Sequence, residues 1–518
     1  MGDKYDRQLR LWGAEGQRRL ANTRVLLAGS CATGSEALKN LVLPGVGRFS
    51  ILDDANVSLA DATNNFFVTA DAVGQSRAET VAKLLLEMNA DVAGDGRHAN
   101  IKQVLQDEPQ YLDQFDLVLA TQLDEAATTK LAELCLAKRI PLLLVTSYGF
   151  LGSLRLQAAQ HAIADAKLDP PRHELRLSTP FPTLRKFADS FALKSLSTIE
   201  HAHVPFVVLL LQAMKKWKEA HNGKPRPRSQ RRTRSRRVCR RWPGARPAMN
   251  LTLLKQLRTP IWPTCLLKYP RKLLQCCRQQ RPTRLSGDAR EDERYQRVLA
   301  AGPCAGRFCQ AERWTFAGNG VVPDMTASTE SYVALQELYV NKAKEDATKI
   351  ARPEAAEDSI SFDAVAAFCK NAPNIGMLET RTVAQEYKHV DLSCVDLEDE
   401  DKEQSPLIWY FMLRAVAAFA SEFNSYPGSE DATATQDRTW LVSKAKKLAA
   451  GSNVADWITD DHALEMTRSC QVELHNIAAL MGGVAAQEAI KLITHQFEPL
   501  NHTYLFNGIS GVAATYQL

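Results

Sequence analysis

Thr23-Arg-Val-Leu-Leu-Ala28 runs directly into Gly29-Ser-Cys31-Ala-Thr-Gly34. A short β-branched and aliphatic run ends at a glycine turn, and Ser35–Leu43 continues with apolar residues at helical spacing. Gly45-Val-Gly47 closes that helix, and Arg48–Leu52 reads as a second buried strand ending in Asp53-Asp54. Beyond it, Gln75–Asn89 carries an amphipathic helical pattern and Phe115–Ala120 reads as a third strand. Asp124–Lys138 reads as a helix and Ile140–Val145 as a fourth strand. Strands alternating with helices at this spacing predict an α/β fold, a parallel sheet with helical crossovers. A nucleotide in such a fold sits at the carboxyl end of the first strand.

The loop at that position is altered. In G-x-G-x-x-G the second glycine is needed because a pyrophosphate approaches the backbone where a side chain would stand. Here Cys31 takes that place, between Gly29 and Gly34. Asp53 or Asp54 could meet a ribose hydroxyl, but an acid after the second strand is common and is weak evidence by itself. The loop therefore reads as a fold that kept its turn and lost its ligand.

At 518 residues the chain has room for about three domains. Its 45% apolar and 24% charged residues exclude wholesale disorder and collagen-like repeats. No uninterrupted apolar run approaches the ~20 residues that span a bilayer, and Val204–Met214 is too short. The start, MGDKYDRQLRLWG, is charged and lacks the apolar core of a signal peptide. The eleven scattered cysteines suit a reducing compartment, so no membrane association is expected and the cytoplasm and nucleus are the expected location.

Charge is very unevenly distributed. Between Asn222 and Arg290 there are twenty Lys/Arg against one acid, Asp288; the remainder holds 44 basic and 58 acidic residues, a net of −14. Cys239, Cys265, Cys276, Cys277, Cys304 and Cys309 lie in or just after the basic stretch. The cluster Arg226–Arg241 admits a phosphate-binding or nuclear-localisation reading, and a disordered insertion is the second. We favour a third reading: 224–314 is mistranslated, from a retained intron or a shifted frame. Nucleic-acid binding then loses its basis.

The opening Tyr5-Asp-Arg7-Gln8-Leu-Arg10-Leu-Trp12-Gly13, with Ala37–Leu43 and Gly45-Val-Gly47, resembles the ubiquitin-activating enzyme family. Glu473-Leu-His475-Asn-Ile-Ala-Ala479 and Gly482-Gly483 through Lys491 resemble its returning segment. Asp61-Ala-Thr-Asn64-Asn65-Phe66-Phe67, Ala120-Thr-Gln-Leu123 and Phe506-Asn-Gly508 with Ala514–Leu518 narrow the resemblance to the regulatory subunits of heterodimeric neddylation-activating enzymes. It covers roughly 3–223 and 315–518.

The resemblance implies a Rossmann-like pseudo-adenylation domain with a largely α-helical inserted domain. Active members have a fully glycine-rich loop, where this chain has Cys31; an Arg that contacts ATP phosphates, where it has Asn64; and a Lys, where it has Gln75. Asp124 falls at, or one residue from, the magnesium-binding acid of active members. Each missing charge-assisted contact is worth ~2–4 kcal/mol in a transition state, so the losses imply a chain without its own catalytic residues. The resemblance further implies a heterodimer with a catalytic subunit that holds ATP and Mg and adenylates a neddylation-type ubiquitin-like modifier, with cullins as eventual targets. This chain itself binds no cofactor and no metal in that reading. Arg7 is implied to reach the partner's ATP. The inactive subunit of the SUMO-activating enzyme and a self-sufficient adenylating enzyme are the alternatives.

Cys135 and Cys369 read as core thiols, and Cys394 and Cys470 lack a thioester motif. His201 and His203 beside Glu200 lack a third ligand at useful spacing and read as capping the apolar helix from Pro205. Cys304 and Cys309 have no second pair to make a zinc site. Tyr332–Ala347, Phe362–Lys370, Trp409–Phe423 and Arg438–Ala450 read as amphipathic helices, and the acidic Asp396–Glu403 as a solvated loop. The expected division is 1–165 for the first part of the pseudo-adenylation domain, 166–455 for a catalytic-cysteine-type half-domain without its cysteine, and 456–518 for the return.

Overall fold

The computed structural model describes residues 4–167, 175–220 except 178 and 194, 320–351, and 376–518 except 399. The basic stretch 224–314, the Phe362–Lys370 helix, Cys369 and the Cys304/Cys309 pair lie outside the described residues. The chain divides into two compact units, one of Met1–Ile163 with Met377–Leu518, the other of Ala164–Gly376.

The first unit opens with α1 (Asp6–Asn22), β1 (Arg24–Ala28), α2 (Ala32–Val42), β2 (Arg48–Asp53), α3 (Leu59–Asn64) and α4 (Arg77–Met88). It continues through β3 (Ala93–His98), α5 (Ile101–Asp107), β4 (Leu117–Thr121), α6 (Glu125–Lys138), β5 (Leu142–Tyr148), β6 (Leu151–Gln157) and β7 (His161–Ile163). The second unit contains α7 (Pro182–Asp189), α8 (Thr198–Ala202), α9 (Phe206–Ala220) and α10 (Thr329–Ala351). The chain returns through β8 (Gly376–Leu378), α11 (Val383–Lys388), α12 (Pro406–Phe423), α13 (Ala434–Leu448), α14 (Val454–Trp457) and α15 (Asp460–Ser469). It ends with α16 (His475–Thr494), β9 (Thr503–Asn507) and β10 (Val512–Tyr516).

Eight strands form one sheet in the order β10-β9-β6-β5-β4-β1-β2-β3. The five from β3 to β5 are parallel; β6, β9 and β10 extend them antiparallel. In register, Ala28 stands opposite Leu52 on one side and Ala120 on the other. The connections from β1 and β4 depart to different partners, α2 packing on α4 and α16, and α6 on α5, α11 and α12. A crevice therefore opens at their carboxyl ends, as the sequence expectation requires.

Three parts of the pattern differ from the sequence reading. β3, with the sequence Ala-Gly-Asp-Gly-Arg-His, carries no apolar signal. Its glycines leave room for neighbours: a Cβ on Gly94 would stand 2.3 Å from the Phe49 ring, and one on Gly96 would stand 2.4 Å from the Ala78 carbonyl. β6 follows β5 through a tight turn at Gly149, a strand beyond the four that the sequence reading placed. The return to the first unit comes at Met377, not at 456. The reason is α12: Leu407, Ile408, Phe411, Met412 and Ala415 share one core with Tyr148, Leu151, Leu505, Tyr516 and Leu518. The resemblance implied an inserted domain up to 455, but the buried stripe of α12 belongs to the core of the sheet.

α16 is long and apolar enough to cross a membrane on length and composition alone. Its apolar residues instead pack against α2, α1 and strands β5 and β6. The approach to α2 is close: a Cβ on Gly482 would lie 2.7 Å from the Ala37 nitrogen. In the second unit, Leu184, Val207, Val208, Leu335 and Tyr339 form a core, and a buried ion pair joins Arg176 to Asp346. His201 lies in α8, begun by a Ser197/Glu200 capping box, and the His203 Nδ1 lies 2.8 Å from the Ile199 carbonyl. No three-residue metal-holding group occurs among the described residues.

His161 and His495 stack in the first unit, ring centroids 4.6 Å apart, with His161 buried and His495 half-buried. Burial, with help from the nearby Arg19 charge, pushes His495 down to about 4, and burial and the His495 charge push His161 well below 6.5. The unfolded chain therefore binds more protons than the folded one between pH 6.5 and 4, and stability falls as pH drops through that window. Thermal unfolding followed from pH 7 to 4.5 should show this loss, and a His495→Phe chain should show a flatter profile.

Candidate functional site

The crevice is a cleft of about 760 Å³. It is lined by the turn after β1, the end of β2, α3, the end of β4 and the segment Cys470–His475 before α16. Gly29 makes the turn with φ at +91°, and a Cβ there would lie 2.7 Å from the Thr121 carbonyl. Cys31 is the N-cap residue of α2 and contributes no side-chain cap. Its thiol lies 3.2 Å from the Thr121 hydroxyl instead. The first amides of α2 thus depend on another partner, and a helix N-terminus of this kind attracts anions.

That partner is Glu473. Its carboxylate accepts from the Ala32 amide at 2.9 Å, the Thr33 amide at 3.3 Å and the Thr33 hydroxyl at 2.6 Å. Ser147 Oγ at 3.1 Å and Gln122 Nε2 at 3.3 Å complete the ring of donors. The side chain is buried, and it crosses 441 positions of sequence to reach Ala32. The place where a phosphate meets a helix N-terminus in this fold is filled by the chain's own carboxylate.

The acid end of β2 is tied up in the same way. Asp53 accepts from the Ser30 amide and hydroxyl, both at 2.7 Å, and from Arg77 Nε at 2.9 Å. Burial pushes the Asp53 carboxyl up, but Arg77 and these donors outweigh burial and hold it below its usual value. Arg77 also pairs with Asp61 at 3.0 Å. Asp54 accepts from Asn100 at 2.5 Å. Four carboxylates, Asp53, Asp54, Asp61 and Glu473, thus face a single guanidinium in the cleft. Adding a polyphosphate to this field is unfavourable.

Of the residues the sequence singled out, Cys31 and Asn64 line the cleft. Asn64 donates to the Glu473 carbonyl at 3.2 Å, and so helps hold the segment that closes the site. Gln75 is exposed and is not among the cleft residues; Arg77, two positions on, is the side chain of that motif that reaches in. A positive charge is therefore present, neutralised by Asp53 and Asp61. Asp124 caps α6 by accepting from the Ala127 amide at 2.9 Å and pairs with Lys102 at 2.5 Å, outside the set of cleft residues. Arg7 is exposed near the start of α1, where Trp12 is buried and Leu9 half-buried.

Of the four described cysteines, Cys31 and Cys135 are buried, Cys470 is half-buried and Cys394 is exposed. Burial pushes the Cys135 thiol up to about 12, and burial, aided by the Glu473 charge, raises Cys31 well above its usual value. Cys470 is also raised by burial, whereas a nucleophilic thiol needs its pKa lowered. Glu400 of the acidic loop accepts from Tyr516 at 3.0 Å and from Ser405, which anchors that loop to the carboxyl-terminal strand.

A doubly wound sheet with a crevice at its switch point, closed by an internal carboxylate, defines an adenylation-type Rossmann domain. The model of the ThiF family matches residues 5–515. The NEDD8-activating enzyme E1 regulatory subunit of Danio rerio is 32% identical over 537 residues, covering 99% of this chain and 98% of the relative. The AXR1 regulatory subunit of Arabidopsis thaliana is 34% identical, covering 98% and 94%. The Saccharomyces cerevisiae regulatory subunit is 25% identical over the full length of both. The chain belongs to the ThiF family, among the NEDD8-activating enzyme E1 regulatory subunits.

Removing the Glu473 carboxylate should leave two helix amides and the Thr33, Ser147 and Gln122 groups short of a partner. Glu473→Ala is expected to cost roughly 3 kcal/mol, and Glu473→Gln less, read as a lowered urea midpoint.

Proposed function

We propose that this chain is the non-catalytic subunit of a heterodimer that activates the ubiquitin-like modifier NEDD8, with adenylation and thioester formation carried out by its catalytic partner. The observation that carries this reading is the Glu473 carboxylate seated on the α2 amides, where a nucleotide phosphate would bind. ATP and Mg then belong to the partner, and this chain contributes docking surface and structural support. The relatives that share nearly its whole length are named as regulatory subunits of such an enzyme. The heterodimer would work in the cytoplasm and nucleus.

Arg7 is this chain's contribution to the partner's site. It is exposed on α1, at the end held by the buried Trp12, whose indole donates to Gln17 at 2.9 Å while its carbonyl accepts from Gln496 at 2.9 Å. A guanidinium held at the surface on such an anchor suits a grip on phosphate oxygens across an interface.

ATP–pyrophosphate exchange should be at background for the isolated chain and appear when the catalytic subunit and NEDD8 are added. Arg7→Ala should leave assembly intact and slow exchange by roughly 10²-fold, with Arg7→Lys recovering part of it. Robust exchange by the chain alone would refute the non-catalytic reading, and full exchange by the Arg7→Ala heterodimer would refute the role of Arg7.

A further inference from the structure

Beneath α12, on the side of the sheet covered by α6 and α11, lies a second cavity of about 100 Å³, partly open to solvent. A single water needs about 10–15 Å³ of such space, so the volume suits a small polyatomic group. Its charged lining consists of Arg155, Arg414 and Glu386. Glu386 is matched within the wall, taking an ion pair from Arg155 and a hydrogen bond from the Tyr410 hydroxyl at 2.7 Å.

Arg414 is matched only by a loose ion pair, to Glu125. Its side chain is 7% exposed. Nη1 donates to the Tyr410 hydroxyl at 3.2 Å, and the guanidinium stacks on the Tyr387 ring, 3.4 Å from its centroid. Nε and Nη2 are both buried without a hydrogen-bond partner. The nearest carboxylate oxygen is Glu125 Oε2, 3.8 Å from Nη2, beyond hydrogen-bond reach, and it too lacks a partner. The Glu125 side chain is 32% exposed and can turn to solvent.

Nε–H and Nη2–H form the side-on edge of a guanidinium, the pair that grips a carboxylate or phosphate with two parallel hydrogen bonds. Stacking on Tyr387 and the bond to Tyr410 fix the plane and leave that edge without a hydrogen-bond acceptor. A buried charged donor without an acceptor is costly, which favours an occupant that supplies one. Within the lining two guanidinium groups face one carboxylate, and the Glu125 carboxylate that balances Arg414 stands outside it. We propose that this cavity is a binding site for a small oxyanion, held bidentately by Arg414, with Glu125 as the internal carboxylate it displaces. The site adjoins the cleft closed by Glu473, with Gln122 and Leu123 lining both, and its filling would brace α12 against the sheet.

Calorimetric titration of the full-length chain with inorganic phosphate, and separately with acetate, at constant ionic strength in chloride, tests this. One saturable site is expected, and the tighter of the two anions identifies the ligand as phosphoryl or carboxylate. Arg414→Lys keeps the charge but removes the fork, and should weaken binding at least tenfold. Glu125→Gln should tighten it several-fold, which keeps the test open if the Arg414 variant fails to fold. Absence of binding by either anion, wild-type binding by Arg414→Lys, or unchanged binding by Glu125→Gln would overturn the proposal.

Discussion

A single carboxylate on a single helix end organises the first unit. Helix α2 begins without a side-chain cap, because Cys31 turns its thiol toward Thr121. The free amides and the positive end of the helix dipole demand an anion. Glu473 supplies it from the far end of the chain, immediately before α16, the helix that packs most closely on α2. One contact thus caps a helix, fixes the entry of α16 and joins the returning segment to the first βα turn.

The consequences spread through the cleft. Asn64 holds the Glu473 carbonyl, and Gln122, in a left-handed conformation after β4, reaches Glu473 and the Ser147 carbonyl. Arg77 is bound by Asp53 and Asp61. The polar groups that a nucleotide would meet are thereby engaged with one another. A fold that elsewhere holds phosphate here uses the same geometry to hold itself together. That is the physical sense in which the chain keeps a Rossmann-like architecture with its crevice engaged internally.

Much of this was legible in the sequence. The run Thr23–Gly34, the helix after it and the strand ending in Asp53 specify the parallel core, because buried parallel strands are continuous apolar runs. Cys31 and Asn64, singled out from the sequence, both line the cleft. The closing residue was not legible: nothing local distinguishes Glu473 from any acid before a helix, and its role exists only once α16 lies beside α2. Arg77 is hidden for the same reason: nothing in Gly74–Ala78 tells that the fold turns Gln75 outward and brings Arg77 into the cleft. The boundary near 377 was hidden because α12 is apolar on nearly every face, which a sequence reading cannot assign to one core or another.

The most direct test of the account is equilibrium binding of Mg·ATP to the isolated wild-type chain, measured calorimetrically up to millimolar nucleotide. Occupation of the α2 amides by Glu473 predicts no saturable binding in that range. Stoichiometric binding at micromolar Mg·ATP would mean that the carboxylate yields its seat, and would contradict the account.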